Sequence, residues 1–300
     1  MSTTRIAHAR CTAVAAALTL AIAASACGGD DPVMPEPPAG PIDVAINFVA
    51  TVNGAPFVCG TRYTGVGMGS STIELTDFRF YVHDVQLVTA SGQAVPVTLE
   101  QDGQWQHDNL ALLDFENAAG ACGNGTPATN TSVRGQVPAG DYAGLRFRVG
   151  VPFALNHQDA STAPAPLDIT RLFWNWNAGY KFLRIDLRRP DAPEGEAQGW
   201  NVHLGSTGCT PTGDRTAPAT SCANEYRPEI ELTGFNHGVN TVVADYGRLL
   251  AGTDLTVNTP GTASGCQSFP GDADCPPVMN RFGLDYEGVA STGQTFFSAN

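Results

Sequence analysis

Imidazoles and indoles are the side chains of this sequence whose types and spacing could do chemistry. His157 closes RFRVGVPFALNH, where a β-rich approach runs into a loop, and His203 lies in WNVHLGSTGC, just before a Gly-rich turn and a cysteine. A rigid β scaffold can aim two such groups at one point from strand ends, and imidazole nitrogen is a ligand for transition metals. Between them runs FWNWNAGYKFLRIDL, residues 173–187, in which Trp174 and Trp176 are two apart and therefore expected on one face of a strand. An intact indole cannot itself coordinate a metal, because its nitrogen only donates. The pair reads first as core filler or, with Tyr180, as a platform on which a carbohydrate or other ligand stacks. Trp200, three residues before His203, faces the other way if its strand is regular, unless a bulge realigns the two. His83 is a second-rank ligand, and His107 and His237 fall in loop-like, exposed sequence.

Other chemistries find less support. The sequence holds no GxSxG elbow, no HExxH and no pair of carboxylates in a catalytic motif, so no enzyme activity is expected. Acids outnumber bases 29 to 16, which disfavours nucleic acid or anionic lipid as a partner. That excess admits a rival metal, calcium, held by Asp272 and Asp274 with Glu225, Glu229 or Glu231, although no EF-hand spacing supports it. Lys181, the only lysine, sits within the tryptophan motif, either as an ordinary surface residue or as a group that positions the loop.

The elements that must position these residues follow an export segment. Residues 1–26 carry Arg5 and Arg10, an apolar run and small residues, the pattern of a signal peptide. The ending Ala24-Ser25-Ala26-Cys27 resembles a bacterial lipobox, which makes Cys27 the lipidated first residue of an envelope protein, periplasmic or on the outer surface. Residues 27–41, rich in Gly, Asp and Pro, read as a tether, and residues 42–300 as the folded domain. Six further cysteines, Cys59, Cys122, Cys209, Cys222, Cys266 and Cys275, suit disulfides in an oxidising compartment. Among 15 possible pairings the local pairs Cys209/Cys222 and Cys266/Cys275 are the natural ones, leaving Cys59 with Cys122.

Period-two alternation at Ile42–Val52, Phe78–Val82, Leu145–Val151 and Lys181–Leu187 predicts half-buried strands. Shorter runs at Val95–Leu99, Trp200–Leu204, Glu229–Leu232, Asn240–Ala244 and Thr253–Asn258 look alike, and Asn109–Glu116 and Asp245–Leu250 suggest short helices. The chain reads as all-β, an antiparallel sandwich or barrel-like domain with long loops tied by disulfides.

The succession GVPFALNH (150–157), FWNWNAGYKFLRIDL (173–187), NVHLGSTGC (201–209) and GCQSFPGDADC (265–275) resembles the MbnP-like proteins, the four-Cys motif members of the metallo-mystery pair. The segments FRFYVHDVQL, LALLDFEN and VRGQVPAGDYAGLRF match in kind and order, so the likeness spans nearly the whole exported domain. It implies a copper-binding protein whose partner, a di-haem enzyme of the MauG type, oxidises a tryptophan to kynurenine. Opening the indole frees an aromatic amine that can join imidazoles around Cu(I). Carried over by motif, His203 and His157 become the ligands, with Trp176 and then Trp174 as precursor. Gln267 stands where the family pattern leads one to expect Met, which removes a sulfur donor from that loop.

Overall fold

A computed structural model describes residues 40–210, 217–218 and 220–300; the export segment, Cys27 and nearly all of the tether lie outside the described residues. The first strand, Ile42–Val52, buries Val44, Ile46, Phe48, Ala50 and Val52 and turns Asp43, Ala45 and Asn47 outward, as a two-residue period dictates. Its sheet runs Phe297–Ala299, Val242–Asp245, Ile42–Val52, Ser132–Val137, Thr98–Leu99. The pairing with Val242–Asp245 is parallel, an exception to the antiparallel expectation.

The second sheet is built on a central strand of 19 residues, Ser71–Thr89. Its order is Glu229–Thr233, Tyr142–Val149, Ser71–Thr89, Leu183–Arg188, Gly199–Leu204, Gly265–Cys266, with Leu110–Asp114 also paired to the central strand. Neither sheet closes on itself, so the domain is a sandwich and not a barrel. Its core is aromatic: Phe48 of the first sheet meets Phe80 and Phe147 of the second edge-on at 6.1 and 5.7 Å, and Phe297 packs on both. Such T-shaped pairs are the favoured ring geometry.

The reverse face of the second sheet positions the site. Asp77, Arg79, Tyr81 and His83 alternate with the core residues of the central strand, yet none is more than 3% exposed. Loops cover them. Register aligns Asp114, Arg79, Arg184 and His203 in one row across four strands, with Asp77 and Asp186 in the next. The result is a buried ionic lattice. Arg79 donates to both oxygens of Asp77 and lies 3.5 Å from Glu116, while Arg184 bridges Asp77 at 3.2 Å and Asp186 at 2.6 Å. Trp200 shares its strand's core face with Val202 and Leu204, opposite His203.

Two expectations fail for identifiable reasons. Residues 110–114, LALLD, form a strand buried on both faces instead of part of a helix; an unbroken apolar run does not distinguish the two. Thr253–Asn258 is a loop. The Asp254 carboxylate accepts from both the backbone N–H and the hydroxyl of Thr256, a local arrangement that competes with ladder pairing. The helix expected at Asp245–Leu250 forms at Tyr246–Leu250, where the Asp245 carboxylate accepts from the Arg248 N–H as its cap. All three disulfides form as paired from spacing: Cys59–Cys122, Cys209–Cys222 and Cys266–Cys275. No described helix is long and apolar enough to cross a membrane.

Burial pushes the Asp114 carboxyl up to about 8, against the pull of Arg79. A folded-state value above the unfolded one, near 3.9, means that folding takes up a proton and stability falls as pH rises between those limits. Asp114→Asn removes this burden. Urea melts should show the variant gaining on the parent as pH rises from about 4 to about 8; a constant difference would refute the assignment.

Candidate functional site

A short helix, Phe153–Asn156, and a hairpin, Phe173–Asn175 with Gly179–Tyr180, carry His157 and the tryptophan pair. Asn156 joins them. Its fully buried amide donates to the Ala178 carbonyl and accepts from the Tyr180 N–H. Gly179, at φ +76°, passes so close to Asn156 that a Cβ would collide with that side chain, so glycine serves both the turn and the packing. Asn175 accepts from the Ala178 N–H inside the turn.

The strand ends at Asn175, and with it the shared face of the two indoles. Trp174 is half-buried, its ring centroid 6.4 Å from that of His203 and 5.4 Å from that of Phe269. Trp176, in the turn, stands edge-on to Phe173. Tyr180 is fully buried, its hydroxyl donating to the Leu167 carbonyl, so it offers no face to an external ligand. A three-ring stacking platform is therefore not what the hairpin presents.

His203 is 7% exposed, and Nε2 and Asp186 Oδ1 are 2.6 Å apart. Burial alone would raise the Asp186 carboxyl, but its hydrogen bonds with His203 and Arg184 hold it well below the usual carboxylate range. A carboxylate only accepts, so Nε2 carries the hydrogen. In the neutral ring the lone pair is then on Nδ1, which is buried without a hydrogen-bond partner. A carboxylate behind one imidazole nitrogen, with the other nitrogen free, is how proteins orient histidine toward a metal. Buried polar atoms without partners are rare, and the imidazole that carries this one has Trp174 as its aromatic neighbour.

The late disulfide loop closes this corner. The Ser268 hydroxyl donates to the His203 carbonyl and accepts from the Gly205 N–H, and the same loop lays Phe269 on Trp174. Gly205 has no room for a side chain: a Cβ there would enter the Trp174 ring and crowd the Tyr180 carbonyl. Gln267 donates weakly to the Ser264 carbonyl at 3.4 Å.

His157 has a different set of neighbours. Its Nδ1 faces the Trp176 carbonyl at 3.3 Å, its Nε2 lies 3.1 Å from the Asn156 amide and 3.8 Å from Cys222 Sγ, and its ring packs on Phe153. Burial holds its pKa below the usual histidine value, against the pull of the Trp176 carbonyl. His83 is enclosed on the central strand with Nδ1 at 2.9 Å from Asp84; burial lowers it to about 4, although Asp84 opposes this.

The acids proposed for calcium are engaged elsewhere. Asp274 accepts from the Thr259 N–H and hydroxyl, Asp272 from the Asp274 N–H, and Glu225, Glu229 and Glu231 pair with arginines. Among the described residues no cluster of three carboxylates gathers. Asp186, Gly205, Ser268 and Phe269 escaped the sequence reading. The first carried a signal, an acid within an alternating strand, but its partner is fixed only by register with the next strand.

Comparison with known proteins agrees with this architecture. The MbnP family model matches residues 41–268. MbnP from Methylosinus trichosporium is a solved structure with TM-score 0.76 and 34% identity, covering 87% of this chain and 99% of that one. No curated protein matches. A family model spanning most of the chain and a fold shared over nearly all of a solved member lead to one conclusion: this chain belongs to the MbnP family.

Proposed function

We propose that this protein is an exported, non-enzymatic copper(I)-binding protein, lipid-anchored at Cys27, whose site is completed when a di-haem MauG-type partner converts a tryptophan to kynurenine. One observation carries the reading: His203, tied through Nε2 to Asp186, keeps a buried Nδ1 without a hydrogen-bond partner, and its ring lies 6.4 Å, centroid to centroid, from that of Trp174. Imidazole and an aromatic amine form a nitrogen-rich, low-coordinate donor set, which suits Cu(I) better than the oxygen cages that hold magnesium or calcium. The ring contacts favour Trp174 as precursor over Trp176, the residue that the sequence ranks first. The role is copper acquisition, storage or transfer in the cell envelope.

Peptide-level mass spectrometry of protein isolated from its native envelope tests this reading. The mass gain from tryptophan to kynurenine is expected on residue 174, together with bound copper. Unmodified tryptophans and no copper, with the partner enzyme expressed, would sink it. Asp186→Ala is expected to weaken Cu(I) binding by about 10- to 100-fold, the usual cost of losing the group behind a ligating imidazole. Asp186→Asn, still an acceptor, should recover part of that loss in chelator competition.

A further inference from the structure

The Cys209–Cys222 bridge stands apart from the other two disulfides. Around it, and among the described residues around no other bridge, a third donor lies within reach: the ligand atoms of His157, Cys209 and Cys222 all fall within 4.8 Å of one another. A disulfide sulfur is a poor ligand, because the donor a metal requires is the thiolate. We propose that reduction of this bridge opens a second metal site, Cys209, Cys222 and His157, selective for a soft monovalent cation such as Cu(I).

Three features prepare the residues for this role. First, the Trp176 carbonyl opposite Nδ1 only accepts, so Nδ1 carries the hydrogen and the lone pair is on Nε2, which accepts from the Asn156 amide at 3.1 Å and lies 3.8 Å from Cys222 Sγ, so that a metal there would take the place of the amide. This is the tautomer a metal requires, fixed by a backbone partner. Second, the bridge joins directly paired residues of a separate two-stranded ribbon, Thr207–Cys209 with Cys222–Asn224, outside both large sheets. Opening it leaves the Thr207–Asn224 pairing in place, as well as the Ser206 hydroxyl donating to the Glu225 carbonyl. Third, two thiolates and one imidazole form a softer donor set than the nitrogen-rich site at His203, one that suits Cu(I).

The chemistry balances with a dithiol of the thioredoxin class as reductant. Its two thiols reduce the Cys209–Cys222 bond, becoming a disulfide themselves while both cysteines become thiols. Cu(I) then displaces one proton from each thiol and binds the two thiolates and Nε2, with no change in its own oxidation state.

The test uses protein produced without the di-haem enzyme, so that every tryptophan is intact and no kynurenine site forms. The protein is reduced with a phosphine, desalted anaerobically and titrated with Cu(I) against a chromogenic chelator; the oxidised protein gives the background binding at His203. One additional equivalent is expected after reduction, with Cys209 and Cys222 shielded from alkylation while Cys59, Cys122, Cys266 and Cys275 are not. His157→Gln, which keeps all six cysteines, should weaken this equivalent by more than the roughly tenfold that loss of an outer-shell partner costs. The proposal is overturned if the bridge resists reduction in the folded protein, if no equivalent is gained, if other cysteines are the ones shielded, or if His157→Gln binds as tightly. None of these outcomes touches the kynurenine reading, which is decided on Trp174 in oxidised, matured protein.

Discussion

A Trp174→Phe chain exported together with its di-haem partner is expected to carry neither kynurenine nor copper, whereas Trp176→Phe should carry both. The two residues are two positions apart in the motif, but their surroundings differ. Trp174 lies against His203 and Phe269 over a glycine that accommodates no side chain, and Trp176 sits in the turn against Phe173. Phenylalanine keeps most of the buried apolar area, so Trp174→Phe should still fold, and far-ultraviolet circular dichroism should match the parent. What it lacks is an indole ring to open and hence an amine to bind. Intact mass and metal content of the two exported variants decide the matter: copper retained by Trp174→Phe, or lost from Trp176→Phe alone, would move the site to the turn.

The second large effect concerns stability. Arg79→Met is expected to destabilise the domain by about 3–5 kcal/mol, the range seen when one member of a buried ion pair is removed. Burial opposes the charge on Arg79, but Asp77, through its hydrogen bonds and charge, and Glu116 outweigh it and hold the guanidinium protonated. Methionine fills comparable volume, so the loss would come from leaving Glu116 without its cation and Asp77 with Arg184 alone, both carboxylates being at most 1% exposed. Denaturant melts of Arg79→Met and of Arg79→Met with Asp77→Asn make the comparison. The double variant should recover part of the loss, because a neutral amide costs less to bury than an unpaired carboxylate. Equal melts for parent and single variant would show that the lattice contributes little.

Local patterns were legible in the sequence wherever one side of a strand meets the core. Ile42–Val52 and Leu183–Arg188 alternate as read, and the three disulfides pair as spacing suggested. Leu110–Asp114 was misread because it is buried on both faces, which erases the alternation. The histidines and tryptophans were visible by type, but their grouping was not. Which indole meets His203 depends on where the hairpin strand stops, and Asp186 meets His203 through the register of two strands whose closest sequence positions are still eleven residues apart. His157 illustrates the same limit: its sequence position suggests a ligand, while its neighbours, a backbone carbonyl and a disulfide, come from segments far along the chain.

The three disulfides fasten loops, a small ribbon and the edge strand Gly265–Cys266, whereas the central strands of the two large sheets are held by ring packing and ladder pairing. The domain therefore has two layers of resistance. Amides in the loop layer would exchange with solvent through local openings whose free energy depends on covalent ties, and amides in the central strands only through global unfolding. A reducing environment would loosen the loop that lays Phe269 on Trp174 long before the sandwich melts, so the order of the corner around His203 and the stability of the fold are separable properties of this chain.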